Sequence, residues 1–414
     1  SHTRMHIDLR LELLSAAAGG GVPAIQGEQP VIKEIFGYLK RCEPYLADTR
    51  PVPYVGLVAS DASCDRQYPE SPSGYFGDLK GTYNALFDLR APTEFISGRA
   101  LEADELDGVA VLVLSDLGYL SPRQTEVVRN FVAGGGGLIA TCRSSLIGED
   151  ARPLPTFALA DVLGVDAAGE LYSGRRGHLL FEPAPWVAEV IQRSWDPAAG
   201  DVHAEDNPWF PEFGEFLFDP AQPVKLRPGA RAVARYLPMG PGDGQCTKEP
   251  EKPEWPGIVE HQFGKGKTVY FSQRFGETYG RLPFPLWRRV LGRALAYVAP
   301  RPPPLEVTAP LSVSAALWEQ PQAGGRWVLH LLNDLDVTGR PAARGYGGLK
   351  TGRTGVRPRE GVVPVEGVEV LVRKPGGARA WLALADRPLP VARRGDGLLV
   401  KVGRVEQHAL IVVE

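Results

Sequence analysis

A chain of 414 residues in which 46 Lys+Arg stand against 49 Asp+Glu has a formal net charge of −3, so no global field holds nucleic acid or an anionic membrane. Its 48 glycines and 38 prolines mark a loop-rich globular protein, below the roughly 25–30% combined share at which low complexity sets in. The length suits two or three domains of about 100–200 residues, and no stretch reaches the roughly 18–20 apolar residues of a membrane span.

Residues 7–18 carry Ile7, Leu9, Leu11, Leu13, Leu14 and an alanine run, and Gly19-Gly20-Gly21 stops the helix they predict. Val22 to Gly27 is short and apolar enough for one buried strand. A second helix starts at Pro30 and sets Val31, Ile32, Ile35, Phe36, Leu39, Cys42 and Leu46 on one face. Three such elements make no core alone and must pack on something larger. From Pro51 strands and helices alternate. Tyr54 to Ala59, Val109 to Ser115 and Leu138 to Thr141 read as buried strands, and Gly74 to Leu89 as a helix. Ser121-Pro122-Arg123-Gln124 supplies an N-cap, a first-turn proline and a capping-box glutamine for the next helix, which Gly134 to Gly137 end. Strands separated by helices pair in parallel, which predicts an α/β, flavodoxin-like doubly wound parallel sheet.

Residues 151–256 are less regular, with an aromatic cluster at Trp209, Phe210, Phe213, Phe216 and Phe218. Ile258 to Phe263 and Thr268 to Ser272 flank glycines that suit a hairpin turn, and a helix over Pro285 to Val298 closes the domain. Ala299 to Pro304 is a stiff linker. The β-rich runs beyond it, among them Arg326 to Leu332 and Ala409 to Val413, predict a C-terminal β-sandwich.

Few motifs carry chemistry. Gly266-Lys267-Thr268 mimics the end of a phosphate-binding loop, but His261 stands where its first glycine belongs. Cys42, Cys64, Cys142 and Cys246 form no C-x-x-C pair and meet no histidine at ligand spacing, which predicts reduced thiols, no metal and no cofactor. Cys142 ends a strand where amidotransferase-like hydrolases carry a nucleophile, and Arg143 would lower its pKa. Its flanks lack the small residues of a nucleophile elbow, and the only adjacent base and carboxylate, Glu260 and His261, point to opposite faces of a strand. Trp209 and Phe210, held between Pro208 and Pro211, offer flat faces to a sugar ring, with Glu205 or Asp206 accepting from its hydroxyls. Packing in the core is the plainer use for those aromatics. His330, in the run VLHLLND, reads as a structural histidine.

The stretches FVAGGGGLIATCRSSLIGEDARPLPTFALADVLGV (131–165), GIVEHQFGKGKTVYFS (257–272) and WVLHLLNDLD (327–336) together resemble segments of a group of β-galactosidase-like glycoside hydrolases. Those proteins carry a barrel, then a β-galactosidase trimerisation domain of class I glutamine amidotransferase-like fold, then a C-terminal β-domain. By this resemblance LELLSAAAGGGVPAIQGE (11–28) is similar to the end of the catalytic (β/α)₈ barrel. The resemblance implies three parts: the last piece of the barrel at 1–50, a flavodoxin-like trimerisation domain at 51–300, and a β-sandwich at 301–414. A barrel needs about 250 residues, so its two catalytic carboxylates would fall upstream. Glu28, the one carboxylate at a candidate barrel strand end, cannot serve as both. No catalytic residue is therefore assigned, and Asp206, Trp209 and Phe210 are the candidate sugar contacts.

The implied function is an oligomerisation and scaffold region of a glycoside hydrolase, inactive on its own. It would associate with itself as a dimer or trimer and meet carbohydrate through the complete protein. The alternatives are a stand-alone carbohydrate-binding or assembly module and, against the flanking residues, a hydrolase using Cys142. The chain begins Ser-His-Thr-Arg and its methionines are Met5 and Met239, so residue 1 is expected inside a longer polypeptide unless Met5 is the start. Charges at Arg4, Asp8, Arg10 and Glu12 replace a signal peptide's apolar core. That favours the cytoplasm unless a signal lies upstream.

Overall fold

The computed structural model describes residues 6–22, 29–68, 73–173, 177–182, 184–194, 215–217, 220–238, 254–281, 283–335 and 361–414. The chain forms two compact units, one of Ser1–Val52, Arg90–Pro92 and Pro303–Glu414, the other of Pro53–Leu89 and Thr93–Pro302. No described helix is long and apolar enough to cross a membrane.

The first unit opens with α1 (His6–Ala18) and α2 (Gln29–Leu46). Leu9, Leu13, Leu14 and Ala18 of α1 are buried with Ile35 and Leu39 of α2. Phe36, one residue past Ile35 and so about 100° around the helix, is instead 40% exposed. α1 stops as the sequence predicts: Gly21 N–H donates back to the Ala16 carbonyl at 2.8 Å, and Gly20 turns left-handed with φ +77°. Val22 is described without a strand, and the rest of the strand expected there lies outside the described residues.

The second unit is built on β1 (Val55–Ala59), α3 (Asp61–Gln67), α4 (Ser73–Asp88), β2 (Thr93–Ser97), β3 (Val111–Leu114), α5 (Pro122–Ala133) and β4 (Gly137–Thr141). The strands lie parallel in the order β2-β1-β3-β4. β3 and β4 are buried along their whole length, which is why they read as continuous apolar runs. The capping box of α5 forms. Ser121 Oγ accepts from Gln124 N–H at 3.2 Å and Gln124 Oε1 accepts from Ser121 N–H at 2.9 Å.

The sheet is mixed, where the sequence predicts a parallel one. It continues through β5 (Gly177–Phe181), β6 (Glu215–Leu217), β7 (Arg231–Pro238), β8 (Trp255–Phe263) and β9 (Gly266–Phe271). β9 pairs parallel to β4, and beyond it β8, β7, β5 and β6 are each antiparallel to their neighbour. The β8–β9 hairpin reverses the chain and so imposes the antiparallel half. Two helices complete the unit, α6 (Phe275–Arg281) and α7 (Pro285–Val298). α6 crosses α4 backbone to backbone: a Cβ on Gly81 would lie 1.8 Å from the Gly276 carbonyl oxygen, and one on Gly276 would lie 1.9 Å from that of Asp78. That approach needs glycine on both helices.

The remaining strands return to the first unit: β10 (Leu305–Thr308), β11 (Val313–Gln320), β12 (Arg326–Asn333), β13 (Val365–Val372), β14 (Ala380–Leu382), β15 (Val391–Arg394), β16 (Gly397–Val405) and β17 (His408–Val413). One sheet contains β11-β12-β17-β14 and the other runs β10-β13-β16-β15. Trp327, Leu329 and Leu331 of β12 join Val368, Val370 and Val400 of the second sheet in one core. Side chains alternate along a strand, so Val328 and Leu332 face the other way. Val328 packs with Cys42 of α2, and Leu332 with the leucines of α1. β12 is thus covered on both faces. Residues 1–50, expected as the end of a barrel, lie in the same compact unit as these strands.

Candidate functional site

Ligands of α/β sheets bind beyond the carboxyl ends of the parallel strands. In the second unit that position holds charge. Asp116, two residues past β3, is fully buried. Its Oδ2 accepts from Arg274 Nε at 2.8 Å, from Arg143 Nη2 at 3.2 Å and from the Tyr68 hydroxyl at 2.7 Å, while Oδ1 accepts from the Arg143 backbone N–H at 3.0 Å. Burial alone would raise its carboxyl, but Arg143 and Arg274 outweigh that and hold it at about 2. Beside it lies Asp78, delivered by the glycine crossing of α4 and α6. Asp78 accepts from the Glu277 backbone N–H at 2.9 Å and from the Ser115 hydroxyl, which also contacts Thr82 Oγ1 at 2.7 Å. Among the described residues no cation is bonded to Asp78, and Arg274 lowers its pKa only weakly. Burial, then repulsion from Asp116, lift it to about 6.

Cys142 follows β4 with φ +47°, an uncommon conformation for a residue with a side chain. Its sulfur is buried, 4.0 Å from the Pro220 carbonyl oxygen, and its own carbonyl accepts from the Tyr270 hydroxyl at 2.6 Å. Arg143 serves Asp116, not the thiol. Burial first, then Asp116, push the Cys142 thiol well up. Glu260 binds Arg231 Nε at 2.7 Å and Trp186 Nε1 at 2.6 Å, and His261 Nδ1 contacts the Val162 carbonyl at 3.1 Å. Through β9 they pair level with Leu138 and Ile139, three or four residues short of Cys142 and, at about 3.3 Å per residue, some 10–13 Å down the sheet. Among the described residues neither Glu260 nor His261 is brought to the sulfur. The cluster acts as an internal ion-pair plug.

In the first unit a cleft of about 840 Å³ is lined by Gly20, Phe36, Lys40, Tyr45, Trp318 and His330, among others. Trp318 Nε1 donates to the Ala18 carbonyl at 2.8 Å. Gly20 is fitted to that indole, since a Cβ there would meet the ring at 2.6 Å. His330 Nδ1 lies 3.1 Å from His408 Nε2, and His408 Nδ1 lies 2.9 Å from the Tyr38 hydroxyl. Burial lowers His330 to about 4, and burial, then His330, take His408 well below the ordinary range. Both imidazoles are therefore neutral at pH 7. His330, read from the sequence as a structural histidine, is buried, and its Nε2 is enclosed without a partner among the described residues. His408 and Tyr38, the rest of this chain of contacts, carry no signal in the sequence.

Asp206, Trp209 and Phe210 lie outside the described residues, as do Glu28 and Glu205. Among the described residues no group of three or more His, Cys, Asp or Glu has metal-site geometry.

No family model and no curated protein matches the sequence. Solved structures do. α-L-Fucosidase isoenzyme 2 from Paenibacillus thiaminolyticus superposes over 99% of this chain with a TM-score of 0.70 at 18% identity, covering 57% of the fucosidase chain. The fold is glycoside hydrolase-like. β-Galactosidase from Bacillus circulans sp. alkalophilus matches 93% of this chain and 45% of its own, with a TM-score of 0.56 at 15% identity. The β-galactosidase from Rahnella sp. R3 matches 97% and 51%, with a TM-score of 0.56 at 14% identity. The chain therefore spans less than two thirds of each of these enzymes.

Proposed function

We propose that these residues form the region that follows the barrel of a β-galactosidase-like glycoside hydrolase, where they scaffold and oligomerise the enzyme without turning over glycosides themselves. The observation that carries this reading is the superposition of nearly the whole chain on 57% of a fucosidase chain. A glycosidase needs two carboxylates roughly 5–10 Å apart across the scissile bond, and on this reading a barrel outside these residues supplies them. The second unit takes the part of the flavodoxin-like trimerisation domain, with boundaries near 51 and 300, and the strands after 301 that of a β-sandwich. The ion-pair cluster favours this reading over an amidotransferase-like hydrolase, because Arg143 pairs with Asp116 and no base stands beside Cys142 among the described residues. The partners are further copies of the chain, and carbohydrate reaches the complete protein.

Light scattering of the purified chain tests the oligomeric part. A dimer or trimer of the 44.9 kDa chain is expected. A monomer at every concentration would contradict it.

A further inference from the structure

We propose that the face of α2 between Lys33 and Arg41 is a binding site for a small phosphate monoester, whose phosphate rests on Gly37 among the cations of Lys33, Arg41 and Arg10.

The seat follows from the spacing along α2. Lys33, Gly37 and Arg41 stand at i, i+4 and i+8 on one face of the helix, with about 12 Å between the outer two at 1.5 Å per residue. Arg10 of α1 completes the set. Its guanidinium lies 4.8 Å from the centroid of the Tyr38 ring and that of Arg41 lies 5.4 Å from the same centroid, so one aromatic ring holds both cations. The ring is fixed in turn, because the Tyr38 hydroxyl lies 2.9 Å from His408 Nδ1. Each cation is reachable: Lys33 and Arg41 are exposed, and Arg10 keeps 29% of its side chain in solvent. Together with Glu34 these residues line a pocket of about 500 Å³, within the roughly 300–1,000 Å³ of small-molecule sites.

Gly37 argues separately for a ligand. It sits in the middle of α2, where only proline is a poorer helix residue. No left-handed turn calls for it, since its φ is not positive, and no close packing does, since a Cβ there would meet nothing within 4 Å. A glycine that neither conformation nor packing needs leaves bare backbone between two long cationic side chains. That is room for an anion to approach the helix.

Charge selects the ligand. Among the described residues of the pocket the one carboxylate is Glu34, and its pair with Arg10 is loose, Oε1 to Nη1 3.6 Å. Lys33 and Arg41 form no ion pair with a described residue. Three cations against one carboxylate leave an excess that suits the charge of about −1.5 to −2 of a phosphate monoester better than a single carboxylate, and guanidinium forks match its oxygens. A bare phosphate would leave most of the pocket empty, so an organic group takes the rest. The site goes beyond the scaffold role and does not depend on it.

The test is calorimetric titration of the full chain at neutral pH with galactose 6-phosphate, and with galactose 6-sulfate, galactose and inorganic phosphate as controls. Galactose 6-phosphate is expected to bind saturably, more weakly as salt is raised, and galactose not at all. Arg41→Gln alters an exposed side chain and lowers affinity about 10-fold, the worth of one charged hydrogen bond. Gly37→Leu separates ligand from fold: it should hold or raise the urea midpoint, because leucine is the better helix residue, and yet weaken binding at least about 10-fold by filling the seat. Flat titrations with galactose 6-phosphate and inorganic phosphate overturn the site, as does equal binding of galactose. Inorganic phosphate binding as tightly as the ester overturns the organic group, and equal binding of the sulfate overturns the preference for a dianion. Binding unchanged by Gly37→Leu, or a midpoint lowered by it, overturns the role of Gly37. None of these results touches the oligomeric state or the turnover assay, so failure here is distinguishable from failure of the proposed function.

Discussion

Asp116→Asn should destabilise the second unit, because it removes the one carboxylate that Arg143 and Arg274 share. The side chain keeps its shape and loses its charge, so Arg143 and Arg274 stay half-buried or buried around a neutral amide. Arg274 retains Glu277, 3.1 Å from its Nη1; Arg143 retains, among the described residues, the Tyr68 hydroxyl at 2.8 Å. Two routes bound the cost. The carboxyl is held at about 2 against an ordinary 3.8, and at 1.36 kcal/mol per pKa unit that difference is about 2.5 kcal/mol for neutralising it. Breaking a buried ion pair from one side typically costs about 3–5 kcal/mol, because the surviving charge is stranded. Asp116→Asn should therefore lose about 2.5–5 kcal/mol at pH 7, measured by urea unfolding with the midpoint and slope fitted separately. A group depressed in the fold stabilises above its unfolded pKa and ceases to as pH falls through its folded one. The gap between wild type and variant should therefore be full above about pH 4 and close toward pH 2. A loss under about 1 kcal/mol at pH 7, or a gap that does not vary with pH, refutes the ion-pair account.

Asp78 has the opposite sign: raised to about 6 from 3.8, it adds stability below about pH 4 that is lost as pH rises through 6, about 3 kcal/mol in all, and Asp78→Asn should flatten that slope in unfolding curves taken across pH. His330, lowered to about 4 from 6.5, gives the first unit stability that is full above about pH 6.5 and lost as pH falls through 4, so His330→Phe should flatten the acid limb of that unit's transition. Gly276→Ala sets a methyl into the backbone of α4 and should lower stability by at least about 3 kcal/mol, since rigid carbonyls have nowhere to yield; a change within about 0.5 kcal/mol would mean that the helices do not cross there. Cys142 should resist iodoacetamide in the native chain and react only on unfolding, as read by mass spectrometry of the peptide that carries it; rapid native alkylation would mean an exposed thiolate and revive the nucleophile.

What the sequence discloses depends on range. Ser121 and Gln124 form the capping box that their spacing predicts, because every atom involved lies within one turn. α7 and the β3 and β4 strands were legible for the same reason, as buried runs bounded by breakers. β2 was not: of Thr93–Ser97 only Ile96 is buried, so this edge strand carries no apolar signal. β5 and β7 lie in a proline-rich stretch and are ordered by β8, which pairs only once the hairpin has reversed the chain. The ion-pair plug gathers Tyr68, Asp78, Asp116, Arg143 and Arg274 from across 200 positions, and each alone is indistinguishable from a solvated polar residue. Arg143 shows the cost of reading neighbours. By sequence it flanks the thiol, yet its guanidinium turns to Asp116. His330 was visible as a histidine in an apolar strand, but its partner His408 arrives from β17, and that pairing takes up Nδ1 and leaves Nε2 enclosed without a partner among the described residues.

The central claim, that these residues support a glycosidase without being one, is tested most directly by nitrophenol release. Purified chain is incubated at neutral pH with nitrophenyl α-L-fucoside and nitrophenyl β-D-galactoside. The account predicts no release above the enzyme-free rate at any protein concentration. Release that rises in proportion to the chain, and survives further purification, would contradict it, because it would require an acid and a nucleophile within these 414 residues.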